Sequence, residues 1–120
     1  MRIVDRKTFL SLPADRVFAK YEPHVCGHLS IKGNTMDGCN DFFVTLLDAV
    51  SSVDADSSSD TWDTLEKAGI ESDTDGESGK EIKTEFSGIT RDGLHEDGQL
   101  FLVLSADDVK ALIDRLTECL

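Results

Sequence analysis

The chain is short of positive charge. Twelve Lys and Arg stand against twenty-four Asp and Glu, a formal net charge of −12 over 120 residues. That deficit argues against DNA, RNA or an anionic membrane as a direct ligand, because such binders gain affinity by neutralising phosphates with Lys and Arg. Long apolar runs are missing too: no segment approaches the roughly 20 apolar residues that span a bilayer. The opening MRIVDRKTFLSLP lacks the apolar run of a signal peptide. Cysteine is scarce, odd in number and irregularly spaced (Cys26, Cys39, Cys119), so no disulfide framework is expected. These absences lead to an expectation of a reducing, cytoplasmic setting with free thiols, each a small buried group. No GxSxG elbow, phosphate loop or CxxC pair occurs, and the expectation is a non-enzyme.

What is present suffices for one domain over residues 1–120. The apolar fraction is 39%, with six Phe, one Trp and one Tyr to seed a core. A chain of this size buries roughly two-thirds of its unfolded surface and needs no staples. The charge is uneven. Between Asp48 and Glu81 lie eleven acidic residues and two basic ones, −9 of the total −12. An acidic, partly flexible insertion at about 51–81 is expected, with its Ser72–Lys80 part mobile.

The flanks carry the structural patterns. Asp5 can cap one or two helical turns that Pro13 ends, with Phe9 and Leu12 toward the core and Leu10 beside them. Arg16–Glu22 alternates as a strand, and Val25–Lys32 forms the next, with Gly33-Asn34 and Asp37-Gly38 as turns. In that second strand Val25, Leu29 and Ile31 share one face; Cys26, His28, Ser30 and Lys32 share the other. Phe42–Asp48 fits either a strand or a helical stripe; β-branched Val44 and Thr45 favour the strand. Ser59 or Asp60 caps a short helix through Ala68, with Trp62 and Leu65 inward and Gly69 closing it. Ile82, Thr84 and Phe86 alternate as a short strand. Gln99–Leu104 is a nearly continuous apolar run, read as a central strand buried on both faces. Ser105 caps a last helix whose Val109, Leu112, Ile113 and Leu116 make one apolar stripe. The expected fold is α+β: a four- to five-stranded, mostly antiparallel sheet, the C-terminal helix packed on one face and a short middle helix at the edge.

With these elements in place, the segments LPADRVFAKYEP and RDGLHEDGQLFLVLSADDV carry a resemblance. The chain resembles, nearly end to end, a group of small acidic hypothetical proteins of tailed phages and prophages. The resemblance implies a phage or mobile-element origin and an intracellular accessory role, with no reaction and no catalytic residue. The Asp/Ser gap is enlarged relative to that pattern.

Four constellations could carry chemistry. The acidic stretch can display carboxylates where a Lys/Arg-lined channel expects phosphates; the plain alternative is a solvated loop. Asp54, Asp56, Ser58 and Asp60 match the start of a calcium loop, but Ser59 replaces its turn glycine and Leu65 its closing Glu, so no metal site is assigned there. His24, Cys26 and His28 alternate on a strand and could converge with Cys39 on zinc, but without the CxxC spacing that makes a zinc site specific. A Cys26 or Cys39 nucleophile beside His24 or His28, or a charged His95, can be drawn without a supporting motif. The expected function is therefore an acidic phage-derived protein that binds and inhibits a host protein with a basic surface, an anti-defence mimic of nucleic acid. The partner-binding residues are Asp54, Asp56, Asp60, Asp63, Asp73, Asp75 and Glu77, with no cofactor. A zinc protein built on the His/Cys strand face and a virion assembly component are the alternatives.

Overall fold

The computed structural model describes residues 1–75, 80–94 and 96–120, with the side chains of 70–75 left aside. The N-terminal strand β1 (Arg2–Val4) leads into α1 (Arg6–Ser11), where the Asp5 carboxylate accepts from the Thr8 amide at 2.8 Å as the N-cap. Then come β2 (Arg16–Glu22), β3 (Val25–Cys26), β4 (Ser30–Thr35) and β5 (Phe42–Leu46). The helix α2 (Ser58–Asp75) follows, then β6 (Thr90–Arg91), β7 (Leu100–Val103) and α3 (Ala106–Thr117). Strand order is β1-β7-β2-β4-β5-β6, with β3 paired to β2, and every pairing is antiparallel. The fold is α+β as expected, but the sheet has seven strands among the described residues rather than four or five.

The core lies on one face of this sheet, under α1. Phe9 stacks on Phe101 with ring centroids 3.9 Å apart and meets Phe18 and Phe42 edge-on at 4.7 and 5.0 Å. Val4, Val44 and Val103 complete the cluster, and Leu10 and Leu12 close its rim. The chain surrounds this small core with buried polar groups. Arg6 donates through Nε to Asn40 Oδ1 (2.9 Å) and through Nη2 to the Asn40 carbonyl (2.6 Å). Lys32 is fully buried; its Nζ donates to Gly33 O (3.0 Å) and Thr35 Oγ1 (2.9 Å), 5.7 Å from the Phe9 ring centroid. Burial lowers the Lys32 pKa from its ordinary value.

Several elements depart from the sequence reading. The segment Val25–Lys32 is two strands, broken at Gly27–Leu29, and β4 runs on through Gly33-Asn34 instead of turning there. Its faces are set by its neighbours: Ser30 pairs with Phe18, and Lys32 with Arg16 and Val44, so these polar residues take the core side while Ile31 looks away. Gly33 is held by contact rather than by a turn, since a Cβ there would lie 2.9 Å from Phe43 Cβ and 3.0 Å from Phe43 O. Gly33→Ala should cost about 1–3 kcal/mol by overpacking against the β5 backbone, read as a lower urea midpoint at unchanged slope. The Ile82–Phe86 segment is not a strand but forms a single bridge among the described residues, Thr84 to Val53. The strand β7 is buried on its core face alone and lies next to the edge strand β1.

The largest correction concerns α3. Its N-terminus forms as the sequence predicts, with Ser105 Oγ accepting from the Asp108 amide (3.1 Å) and the Asp108 carboxylate accepting from the Ser105 amide (2.8 Å). Yet no residue of α3 is buried, and the helix does not cover the sheet. Among the described residues no helix is long and apolar enough to cross a membrane.

Candidate interaction surface

The acidic segment is anchored before it projects. Asp48 accepts from the Ser51 amide (2.8 Å) and hydroxyl (2.7 Å), and these bonds hold its pKa below the usual carboxyl value, with His28 adding a smaller effect. Ser52 and Val53 are buried; the Asp54 amide donates to Lys83 O (3.0 Å) and the Glu85 amide to Ser52 O (2.6 Å). The segment entering α2 is thereby tied to the segment leaving it, and Asp54 pairs with Lys83 at 3.2 Å. Ser57 caps the helix, its Oγ accepting from the Asp60 amide at 3.2 Å.

α2 runs past Gly69, where the sequence suggested an end, to Asp75. With no left-handed backbone at Gly69 and nothing within 4 Å of its missing Cβ, the residue acts as an ordinary, if weak, helical position. Thr61, Thr64, Leu65 and Ala68 form the half-buried side, while Trp62, Asp63 and Glu66 lie on the outer side. Trp62 was expected inward; it is 61% exposed. Hydrophobicity alone pointed it to a core, but the inner face is centred on Thr61, Thr64, Leu65 and Ala68, and Trp62 lies at its flank, about a sixth of a turn from Leu65 and a third of a turn from Ala68.

The predicted partner-binding residues separate into three groups. Asp56, Asp60 and Asp63 are exposed at the entry and first turns of α2, and Asp54 is exposed beside Lys83. Asp73 and Asp75 belong to the last turn, their side chains outside the described residues, as is Glu77 altogether. The expected mobility of Ser72–Lys80 falls largely there too. The sequence reading had no signal for Trp62 as part of this surface; only the helix register supplies it.

The His/Cys constellation does not assemble. His24 sits in the β2–β3 turn with φ +67°, only Val25 and Cys26 are in β3, and His28 lies beyond it. The same-side alternation needed for a zinc site is lost at both ends, and among the described residues no group of three or more His, Cys, Asp or Glu could hold a metal. Cys26, Cys39 and Cys119 are free, and all three are exposed rather than buried, because each lies in a turn, an edge strand or the C-terminal tail. His95 lies outside the described residues.

Two further features were not legible in the sequence. A cleft of about 190 Å³ opens on the core side of the sheet beyond α1, floored by Phe18, Val44 and Leu46 and rimmed by His28, Asp48 and the Lys20–Asp92 ion pair (2.6 Å). The second is the fully buried Asp41, which accepts from Arg91 Nε and from the amides of Phe42 (2.8 Å) and Gly93 (3.1 Å). Burial alone would push the Asp41 pKa up; the Arg91 and amide hydrogen bonds outweigh it and set the value at about 2. It joins the start of β5 to β6, 50 residues away at Arg91, and to Gly93 just beyond it.

Comparisons with protein-family models, with curated proteins and with solved structures each give no match to this chain.

Proposed function

We propose that this chain is a non-enzymatic, acidic interaction protein, of phage or mobile-element origin, that inhibits a host protein by occupying a basic, nucleic-acid-binding surface. The observation that carries the reading is the outer side of α2. There an exposed Trp62 stands among Asp63 and Glu66, with Asp60 in the first turn. Carboxylates speed encounter with a basic partner, and a large aromatic supplies the desolvated anchor that slows dissociation.

The two contributions separate kinetically. With a purified host partner, the variant Asp56→Asn/Asp60→Asn/Asp63→Asn/Glu66→Gln should associate on the order of tenfold more slowly at low salt and show a flatter salt dependence. Trp62→Ala should instead raise the dissociation rate, with association nearly unchanged. Nucleic acid should compete with the wild-type chain for the partner. Equal association rates for wild type and the quadruple variant at low salt would show that the charge is not the binding device.

A further inference from the structure

We infer that the chain is a homodimer in which α3 of each copy lies across the open face of the other copy's sheet. Two surfaces of one molecule support this, each incomplete without a mate. The first is the sheet face opposite α1. Strand pairing places Ile3, Leu102, Ala19, Val17, Ile31 and Phe43 together on that side. A sheet with one solvated face alternates apolar-in with polar-out, and this one is apolar on both sides, as in sheets covered twice. Yet α1 covers only the Phe9 side: Ile3 and Phe43 remain 56% and 38% exposed, Val17, Ile31 and Leu102 are half-buried, and of these six only the small Ala19 is closed off.

The second surface is α3. Its stripe of Val109, Leu112, Ile113 and Leu116 is incompletely covered: Val109 and Leu112 are half-buried, and Ile113 and Leu116 are each 56% exposed. The helix is nonetheless firmly begun, with a capping box at Ser105. Its own sheet is not within easy reach. The Leu104 amide is held by Val17 O at 2.9 Å and Ser105 is locked in the cap, so folding α3 back would break the bonds that start it. The radius of gyration, 17.0 Å, exceeds the roughly 14 Å of a compact chain of this length, in keeping with α2 and α3 both standing off the sheet.

The two surfaces fit each other in size. Twelve helical residues span roughly 18 Å. The five strands β1, β7, β2, β4 and β5 span roughly 19 Å at the usual strand spacing. A two-fold exchange buries one stripe and one face on each chain, and stable interfaces bury roughly 800 Å² per partner. A second copy is the one occupant certain to carry both complementary parts. Because each copy carries −12, the contact must be apolar and must work against like-charge repulsion.

The test is sedimentation of the full chain at about 100 µM, a concentration at which even a modest dimer is populated. The wild type should sediment at twice the 13.2 kDa chain mass, and the dimer should tighten as salt rises. Ile113→Glu/Leu116→Glu on the helix, and separately Ile3→Glu on the sheet face, should each give a monomer with an unchanged circular dichroism spectrum, since none of these side chains is buried in one chain. A wild-type monomer, or a helix variant that remains dimeric, overturns the inference. So does an assembly that weakens with salt, which would mean ionic contacts. If the helix variant is monomeric while Ile3→Glu stays dimeric, the helices pair with each other and docking on the sheet is wrong.

Discussion

Phe9→Ala should destabilise the protein by about 3–5 kcal/mol, the usual cost of removing a buried Phe from a core that cannot close around the gap. The expectation rests on geometry. All four buried Phe rings meet one another, and Phe9 makes the three closest of these contacts: it stacks on Phe101 at 3.9 Å and meets Phe18 and Phe42 edge-on at 4.7 and 5.0 Å, whereas the other pairs lie 5.8–6.1 Å apart. It comes from a helix of six residues, too short to be stable by itself, so packing of this ring is what holds α1 to the sheet. Small domains are stable by only about 5–15 kcal/mol, so the loss takes away much of the total. Phe9→Leu keeps most of the volume and should lose less, roughly 1–2 kcal/mol. Urea unfolding followed by near-ultraviolet and far-ultraviolet signals checks both. A loss under about 1 kcal/mol for the alanine variant would mean that the core lies elsewhere or refills.

Asp41→Asn should remove a large part of the protein's sensitivity to acid. The wild-type carboxyl has a folded pKa of about 2, below its ordinary value of 3.8. A group with a depressed folded pKa is protonated more readily in the unfolded chain, so stability falls as pH falls between these values. The Asp41 contribution is thus complete above pH 5 or so and is lost progressively from 3.8 down toward 2. At neutral pH the Asn variant keeps acceptors for the Phe42 and Gly93 amides but loses the charge that Arg91 meets. Because Arg91 is half exposed and can turn to water, the cost should be near 1.5–3 kcal/mol, in the range of a hydrogen bond to a charged group, rather than that of a buried unpaired ion. Melting temperatures of both proteins between pH 2 and 7 supply the check. The gap should be widest at neutral pH and close on acidification. A gap that stays constant with pH would show that Asp41 is not ionised in the fold. Asp5, Asp48 and Glu85 also have lowered values, and the exposed Asp108, paired with the N-terminal amine, is lowered to about 2, so the Asn variant keeps acid sensitivity of its own.

The proposed dimer and the proposed partner surface use different parts of the chain. α2 projects from the segment between β5 and β6, whereas α3 and the open sheet face belong to β7 and its neighbours. A dimer would therefore present two acidic helices and leave both free to bind.

Local chemistry by itself determined much of this protein. Arg16–Glu22 alternates as β2 to the residue, Asp5 and Ser105 cap the helices they precede, and the Leu100–Val103 run is a strand. These signals depend on side-chain period, on orphan helix amides and on proline, all of which act within a few residues. Tertiary structure decided which face of each element is inside. Lys32 and Ser30 are buried, and Ile31 is turned outward, because β2 and β5 fix the register of β4. Asp41 finds Arg91, 50 residues away, because β6 pairs with β5. The stripe on α3 was plain in the sequence, but what it packs against was not. Periodicity shows that a face is apolar and cannot say whether its cover comes from the same chain. The deficit of positive charge and the −9 segment were likewise fixed by composition. That Asp63 and Glu66 of this segment lie on the outer side of a helix, next to an exposed Trp62, followed from where Leu65 and Ala68 had to go.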